Sequence, residues 1–119
     1  MFTIKEWPHG EALERVCERY HADYTEGDRA FVFEEGEPRA VGVLSLYKNT
    51  KVLVKGVYGE LEAPYRDLMI RSLLFVASNM NPITVRVHEV SDYYRALGFT
   101  EVEGGMEVSN KEIHFGHSH

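Results

Sequence analysis

Three histidines close the chain in His114-Phe115-Gly116-His117-Ser118-His119. Alternating imidazoles of this kind can bind zinc or nickel. Their spacing matches no closed structural zinc pattern, so a frayed polar terminus is the plainer reading and no metal is assigned. The single thiol, Cys17, shares a helical stripe with Leu13, Val16 and Tyr20. That placement makes it a small buried hydrophobe rather than a nucleophile, and a lone cysteine excludes an intramolecular disulfide. Pro64 opens a helix, whose first turn leaves backbone N–H groups without partners inside the helix. The carboxylates Glu60 and Glu62 come just before it, and His88 with Glu89 follow a later strand.

The charge balance sets the kinds of partner. Thirteen Lys and Arg against nineteen Asp and Glu give a net charge of −6. Such a chain has no overall pull toward nucleic acid or an anionic membrane. A cationic substrate is easier to attract, although mild acidity is also the ordinary condition of soluble cytoplasmic proteins. No basic n-region followed by an apolar run opens the chain, and nothing approaches eighteen consecutive apolar residues. The expectation is a soluble, cytoplasmic protein in a reducing compartment.

The elements that must position these residues follow from periodicity. At 119 residues, with no linker, repeat or low-complexity stretch, the chain reads as one domain over 1–119. Phe2, Ile4 and Trp7 have strand spacing. The i, i+3, i+4, i+7 pattern predicts a helix over 11–20, and 21–29 is a polar loop. Strands over 30–33, 40–47 and 52–58 are joined by short polar turns, so they form an antiparallel meander. Strict alternation places Val52, Val54, Gly56 and Tyr58 on one face of the third.

Helix 65–78 carries the stripe Met69, Ile70, Leu73, Leu74 and Ala77, and stops at Asn79 and Asn81-Pro82. The β-branched run 83–87 is a strand, and strand–helix–strand implies a right-handed crossover to a parallel pair. Ser91 caps a short helix that Gly98 ends. Strands over 99–102 and 106–109 follow, with a further strand over 111–115. The order β-α-β-β-β-α-β-α-β-β describes an α+β (α/β mixed sheet) domain with helices covering its faces.

Two motifs in this order carry a resemblance. Tyr94-Arg95-Ala96-Leu97-Gly98-Phe99 resembles the short C-terminal helix motif of the GNAT superfamily of N-acetyltransferases: tyrosine, two polar or small residues, leucine, glycine, phenylalanine. Pro64-Tyr65-Arg66-Asp67-Leu68-Met69-Ile70-Arg71 resembles that family's segment leading into the cofactor loop. The motifs span 64–99, and the strand order extends the likeness over nearly the whole chain. One departure stands out. Family members that bind acetyl-CoA well have Gln or Arg, two residues, Gly, one residue, then Gly or Ala, so that backbone N–H groups close on the pyrophosphate. Here Arg66 matches the first position, but Met69 and Arg71 occupy the two small positions. The cofactor loop is degenerate.

The resemblance implies an N-acetyltransferase that moves an acetyl group from acetyl-CoA to an amine of a small molecule or peptide. It implies Leu61, Arg66, Asp67, Leu68, Met69, Ile70 and Arg71 as the cofactor-binding residues. Arg71 would offer a charged donor where a backbone approach is lost, and the helix N-terminus between Arg66 and Ile70 would present free N–H groups. Tyr94 carries over as the acid that protonates the leaving thiolate, and Glu60 is the candidate base, directly or through water. Tyr58 is an alternative wall of the pocket, and the segment 87–91 is too short for the family's asparagine-containing loop. The resemblance further implies that the strands ending near Leu61 and beginning after Pro82 diverge, leaving a cleft at the start of the long helix. A gap filled by side chains there would favour the alternative: a degenerate, non-catalytic domain that binds a ligand or pairs with itself, as a homodimer, or with another protein.

Overall fold

The computed structural model describes residues 1–115. His117 and His119, two of the three histidines read as possible metal ligands, lie outside the described residues. Alternating apolar residues and short turns build four antiparallel strands, β1 (Thr3–Trp7), β2 (Arg29–Glu35), β3 (Glu37–Tyr47) and β4 (Lys51–Gly59). Gly36, at φ 78°, makes the tight turn between β2 and β3. The chain then crosses over through helix α2 (Ala63–Ser78) to β5 (Thr84–Val87), which pairs parallel with β4. Helix α3 (Asp92–Ala96) leads to the hairpin β6 (Thr100–Val102) and β7 (Gly105–Ser109). The result is one seven-stranded mixed sheet in the order β1-β2-β3-β4-β5-β7-β6.

The two faces are covered unequally. Helix α1 (Glu11–Arg19) buries Leu13, Val16 and Cys17 against Ala30, Val32, Val41 and Val43 of β2 and β3. On the opposite face, Leu73, Leu74 and Ala77 of α2 join Leu44, Val54, Val85, Val87 and Met106 in the main core. Leu73 reaches down to Gly42, where a Cβ would lie 2.9 Å from its Cδ1. Asn110, the buried polar residue of the core at 1% exposure, ties the end of α2 to β5. Its amide donates to the carbonyls of Ala77, Met80 and Asn81 and its oxygen accepts from the Ile83 N–H.

Two expectations change. Strict alternation along β4 fails, because Val43 pairs with Gly56 and Leu44 with Val54, leaving Lys55 as an extra residue. A bulge reverses which side chains face which side beyond it. Val54 therefore belongs to the core under α2, whereas Tyr58 packs with the α1 cluster. The strand expected over 111–115 is absent as well. The chain forms a 3₁₀ turn over Asn110–Glu112 instead, and the backbone beyond it binds other elements, with the His114 N–H donating to the Leu97 carbonyl. No helix among the described residues is long and apolar enough to cross a membrane.

Candidate active site at the split between β4 and β5

The bulge at Lys55 coincides with the end of the parallel pairing. Lys51–Val54 of β4 pair with Thr84–Val87 of β5, and there β5 stops. Strand β4 runs on to Gly59, held on its other side by β3 through the pairs Gly42–Val57, Val41–Tyr58 and Ala40–Gly59. A bulge bends a strand and increases its twist, and this one falls where the β4–β5 ladder ends. The pairing of β4 with β5 stops where the resemblance led us to expect a divergence, and α2 starts at Ala63, after the unpaired end of β4. Gly59 is required in place: its φ is 135°, and a Cβ there would lie 2.4 Å from the Arg39 carbonyl oxygen.

The start of α2 differs from expectation. The helix begins at Ala63, two residues before the predicted start, with Glu62 as its cap residue and proline in the first turn. The N–H groups of Tyr65 and Arg66 donate to the Glu62 carbonyl, each at 3.0 Å. Every N–H from Asp67 onward lies inside the helix, where it meets the carbonyl four residues back. The free N–H groups expected between Arg66 and Ile70 therefore do not exist. The physical reason is the residue set: without glycines, a Leu-Met-Ile-Arg run has no reason to leave the helical conformation.

The side chains of this segment divide by face. Met69 is fully buried against Phe33 and Ala40, with Leu61 partly buried beside it. Ile70 packs against the main core, and Leu68 points outward at 38% exposure. Arg66 turns into the split, where its Nη1 donates to the Val57 carbonyl at 2.7 Å and its Nη2 to the Gly59 carbonyl at 3.0 Å. Asp67 accepts from the Tyr93 hydroxyl and from Arg71 Nε, and Arg71 Nη1 donates to the Phe115 carbonyl. Of the residues assigned to cofactor binding, Arg66 reaches the β4 carbonyls beyond the pairing with β5, while Asp67 and Arg71 join α2 to α3 and to the C-terminal segment.

Helix α3 brings up the tyrosines. Ser91 caps it as predicted, its hydroxyl oxygen accepting from the Tyr94 N–H at 3.4 Å, and Gly98 ends it at φ 101°. Tyr94 is buried in the main core at 6% exposure and packs edge-on against Tyr93 and Phe99. Burial, with a smaller contribution from the Glu89 carboxylate, pushes its phenol up to about 12. Burial and the Asp67 carboxylate push the Tyr93 phenol further up. Both phenols are therefore protonated at neutral pH and able to donate. Glu60 is exposed, its N–H bonded to the Arg39 carbonyl at 3.1 Å.

Two ion clusters escaped sequence reasoning. Lys55, at the bulge, donates to Asp28 at 2.7 Å and reaches Asp23 and Thr25 in the loop after α1. On the open face of the sheet, Lys51 and Arg86 both donate to one oxygen of Glu107, at 2.8 and 2.7 Å. The partners lie twenty-one to fifty-six residues apart in sequence, and no local pattern announces them. Among the described residues, no group of three His, Cys, Asp or Glu is placed to hold a metal ion.

Comparisons with known proteins come from structure. No family model matches the chain, and no curated protein matches it in sequence. Among solved structures, an N-acetyltransferase from Staphylococcus aureus Mu50 superposes with a TM-score of 0.61 at 16% identity, covering 92% of this chain and 94% of that one. An acetyltransferase candidate from Exiguobacterium sp. 255-15 gives a TM-score of 0.55 at 16% identity, with 94% and 95% covered. Over nearly its whole length, the chain has the GNAT fold.

Proposed function

We propose that this protein is an N-acetyltransferase with acetyl-CoA as co-substrate and an amine of a small molecule or peptide as acceptor. The observation that carries the reading is the split itself: β4 outruns β5 by five residues, from Lys55 to Gly59, beside α2 and the tyrosines of α3. A strand edge without a neighbour offers backbone hydrogen-bonding groups to any extended chain laid against it. The pantetheine arm of CoA is such a chain, with amides of its own. Likeness of fold to the two acetyltransferases supports the same reading.

In this proposal the acceptor's amine nitrogen attacks the thioester carbonyl, and the carbon–sulfur bond breaks. Tyr94, protonated at working pH, gives its proton to the leaving thiolate. Glu60, in contact with solvent, takes the acceptor's proton through water. Arg66 must leave the carbonyls of Val57 and Gly59 before an arm can use them.

A second reading is favoured by one specific observation. The continuous start of α2 has no backbone cradle for pyrophosphate, and Arg66 fills the split. These are the features of a non-catalytic domain that keeps the fold without the cofactor. Thermal unfolding across an acetyl-CoA titration separates the two. Binding to the native state alone stabilises it, by about 2.7 kcal/mol at a hundred times Kd. Stabilisation together with free thiol release from acetyl-CoA in the presence of an amine panel is expected. No stabilisation at about millimolar acetyl-CoA, corresponding to a binding energy weaker than roughly 4 kcal/mol, sinks the transferase reading and leaves the second.

A further inference from the structure

Helix α1 covers β2, β3 and the Tyr58 end of β4, whereas no residue from the first half of β4, from β5 or from β7 belongs to its cluster. A cavity of about 390 Å³ is lined by Tyr47, Lys51, Leu53, Arg86 and His88. Small-ligand sites have volumes of roughly 300–1,000 Å³. The lining combines an aromatic ring, an aliphatic side chain, an ammonium, a guanidinium and an imidazole. Lys48 adds a further ammonium, 5.4 Å from the centre of the Tyr47 ring.

The charge of this cavity runs against the rest of the molecule. The chain carries −6 overall, and elsewhere its ion-paired cations have a carboxylate each or a surplus of them: Arg29 with Glu6, Arg15 with Glu11, Lys55 with Asp28 and Asp23, Arg95 with Asp92 and Glu101. Among the described residues, Lys51 and Arg86 are the two cations that share a single carboxylate, Glu107. Glu107 is held below the ordinary carboxylate range by Lys51 first and then Arg86, so it stays ionised and still neutralises only one of them. The Lys51 and Arg86 side chains are 38% and 23% exposed, close enough to water for a ligand to reach and sheltered enough for its charge to matter.

We propose that this cavity binds a small organic anion, a carboxylate or a phosphate monoester with an aromatic or aliphatic body. The anionic end lies at Lys51 and Arg86, and the body rests on Tyr47 and Leu53. The cavity ends near the split: Leu53 and Arg86 are paired one step before the last β4–β5 pair, and His88 is the residue after it. On the acetyltransferase reading, on which this last step rests, the anion is the far end of the acceptor, and its amine reaches past His88 to the thioester.

The test is an amide-resolved NMR titration of the isotopically labelled protein with phenyl phosphate, phenylacetate and benzylamine, without acetyl-CoA. Saturable shifts at Leu53, Arg86 and His88 with the anions but not with benzylamine are expected. Shifts with phenylacetate alone assign a carboxylate, and with phenyl phosphate alone a phosphate. His88→Glu, at an exposed position, should weaken the binding about tenfold or more, as like charge at close range does. Tyr47→Ser, at a half-exposed ring, should weaken it through lost apolar contact and serves if the first variant misfolds. No shifts at about 10 mM ligand, a binding energy weaker than roughly 3 kcal/mol, or equal shifts with benzylamine, overturn the proposal. Anion binding by a protein indifferent to acetyl-CoA spares the site and refutes the transferase. Turnover with acidic and neutral amines alike, unchanged in His88→Glu, refutes the acceptor role of the cavity and spares the transferase.

Discussion

Arg66→Met is the sharpest perturbation of the split. Methionine keeps most of the apolar stem and removes the guanidinium that donates to the Val57 and Gly59 carbonyls at 2.7 and 3.0 Å. Hydrogen bonds to charged groups contribute roughly 1.5–3 kcal/mol each when buried. This side chain is half-buried and water replaces part of what is lost, so the pair is taken as about 2 kcal/mol, below the buried sum. For a chain of this size that is a fall in Tm of about 8 °C, with the urea m-value unchanged because the surface exposed on unfolding is the same. The consequence for ligand has the opposite sign. If Arg66 occupies the acceptors that the pantetheine arm needs, removing it relieves a competition of about 2 kcal/mol and tightens acetyl-CoA by up to about thirtyfold. Urea denaturation and calorimetric titration on the same preparation measure both. Unchanged stability refutes the clasp. Weaker acetyl-CoA binding in the variant also refutes it, and makes Arg66 a phosphate ligand instead.

Two further perturbations test the site's other members. The Tyr94 phenol is raised by burial and by Glu89 from 10 to about 12, so the native state holds this proton more tightly than the unfolded chain. Its contribution is complete below pH 10 and is lost as pH rises through about 12, on the order of 2–3 kcal/mol. Urea denaturation between these pH values should show a shallower loss in Tyr94→Phe than in the parent, and turnover at neutral pH should fall about a hundredfold if the phenol is the acid; an unchanged rate removes that role. Gly59→Ala should cost more than about 3 kcal/mol, because the new Cβ meets the Arg39 carbonyl oxygen at 2.4 Å and the Ala40 Cα at 2.6 Å. Gly36→Ala, at φ 78° with nothing within 4 Å, is the control at about 1 kcal/mol; equal losses at the two glycines would show that the close approach of β3 to β4 does not matter.

Much of the fold was legible along the chain because its determinants are local. The i, i+3, i+4 stripe of Leu13, Val16 and Cys17 set α1 and its buried face. Short polar turns set the meander, and Ser91 with Gly98 set both ends of α3. The motif from Tyr94 to Phe99 led to the GNAT fold that the superpositions share. The strand expected over 111–115 failed because the chain enters a 3₁₀ turn at Asn110 and the His114 N–H then bonds the Leu97 carbonyl at the end of α3, where no strand edge is offered.

What the sequence determined by itself is therefore the order of elements, the buried face of α1 and the run Leu68-Met69-Ile70-Arg71 that keeps α2 helical. Tertiary structure decided the rest. A bulge at Lys55 appears only when β3 and β4 are paired in register, and it alone puts Val54 and Tyr58 on opposite faces. The carbonyls that Arg66 takes are fixed by where β5 stops, and the cavity between Tyr47 and His88 by which strands lie side by side. Periodicity reports how a residue relates to its neighbours in the chain. The chemistry of this site depends on groups that meet only after the sheet has formed, across separations at which no sequence pattern survives.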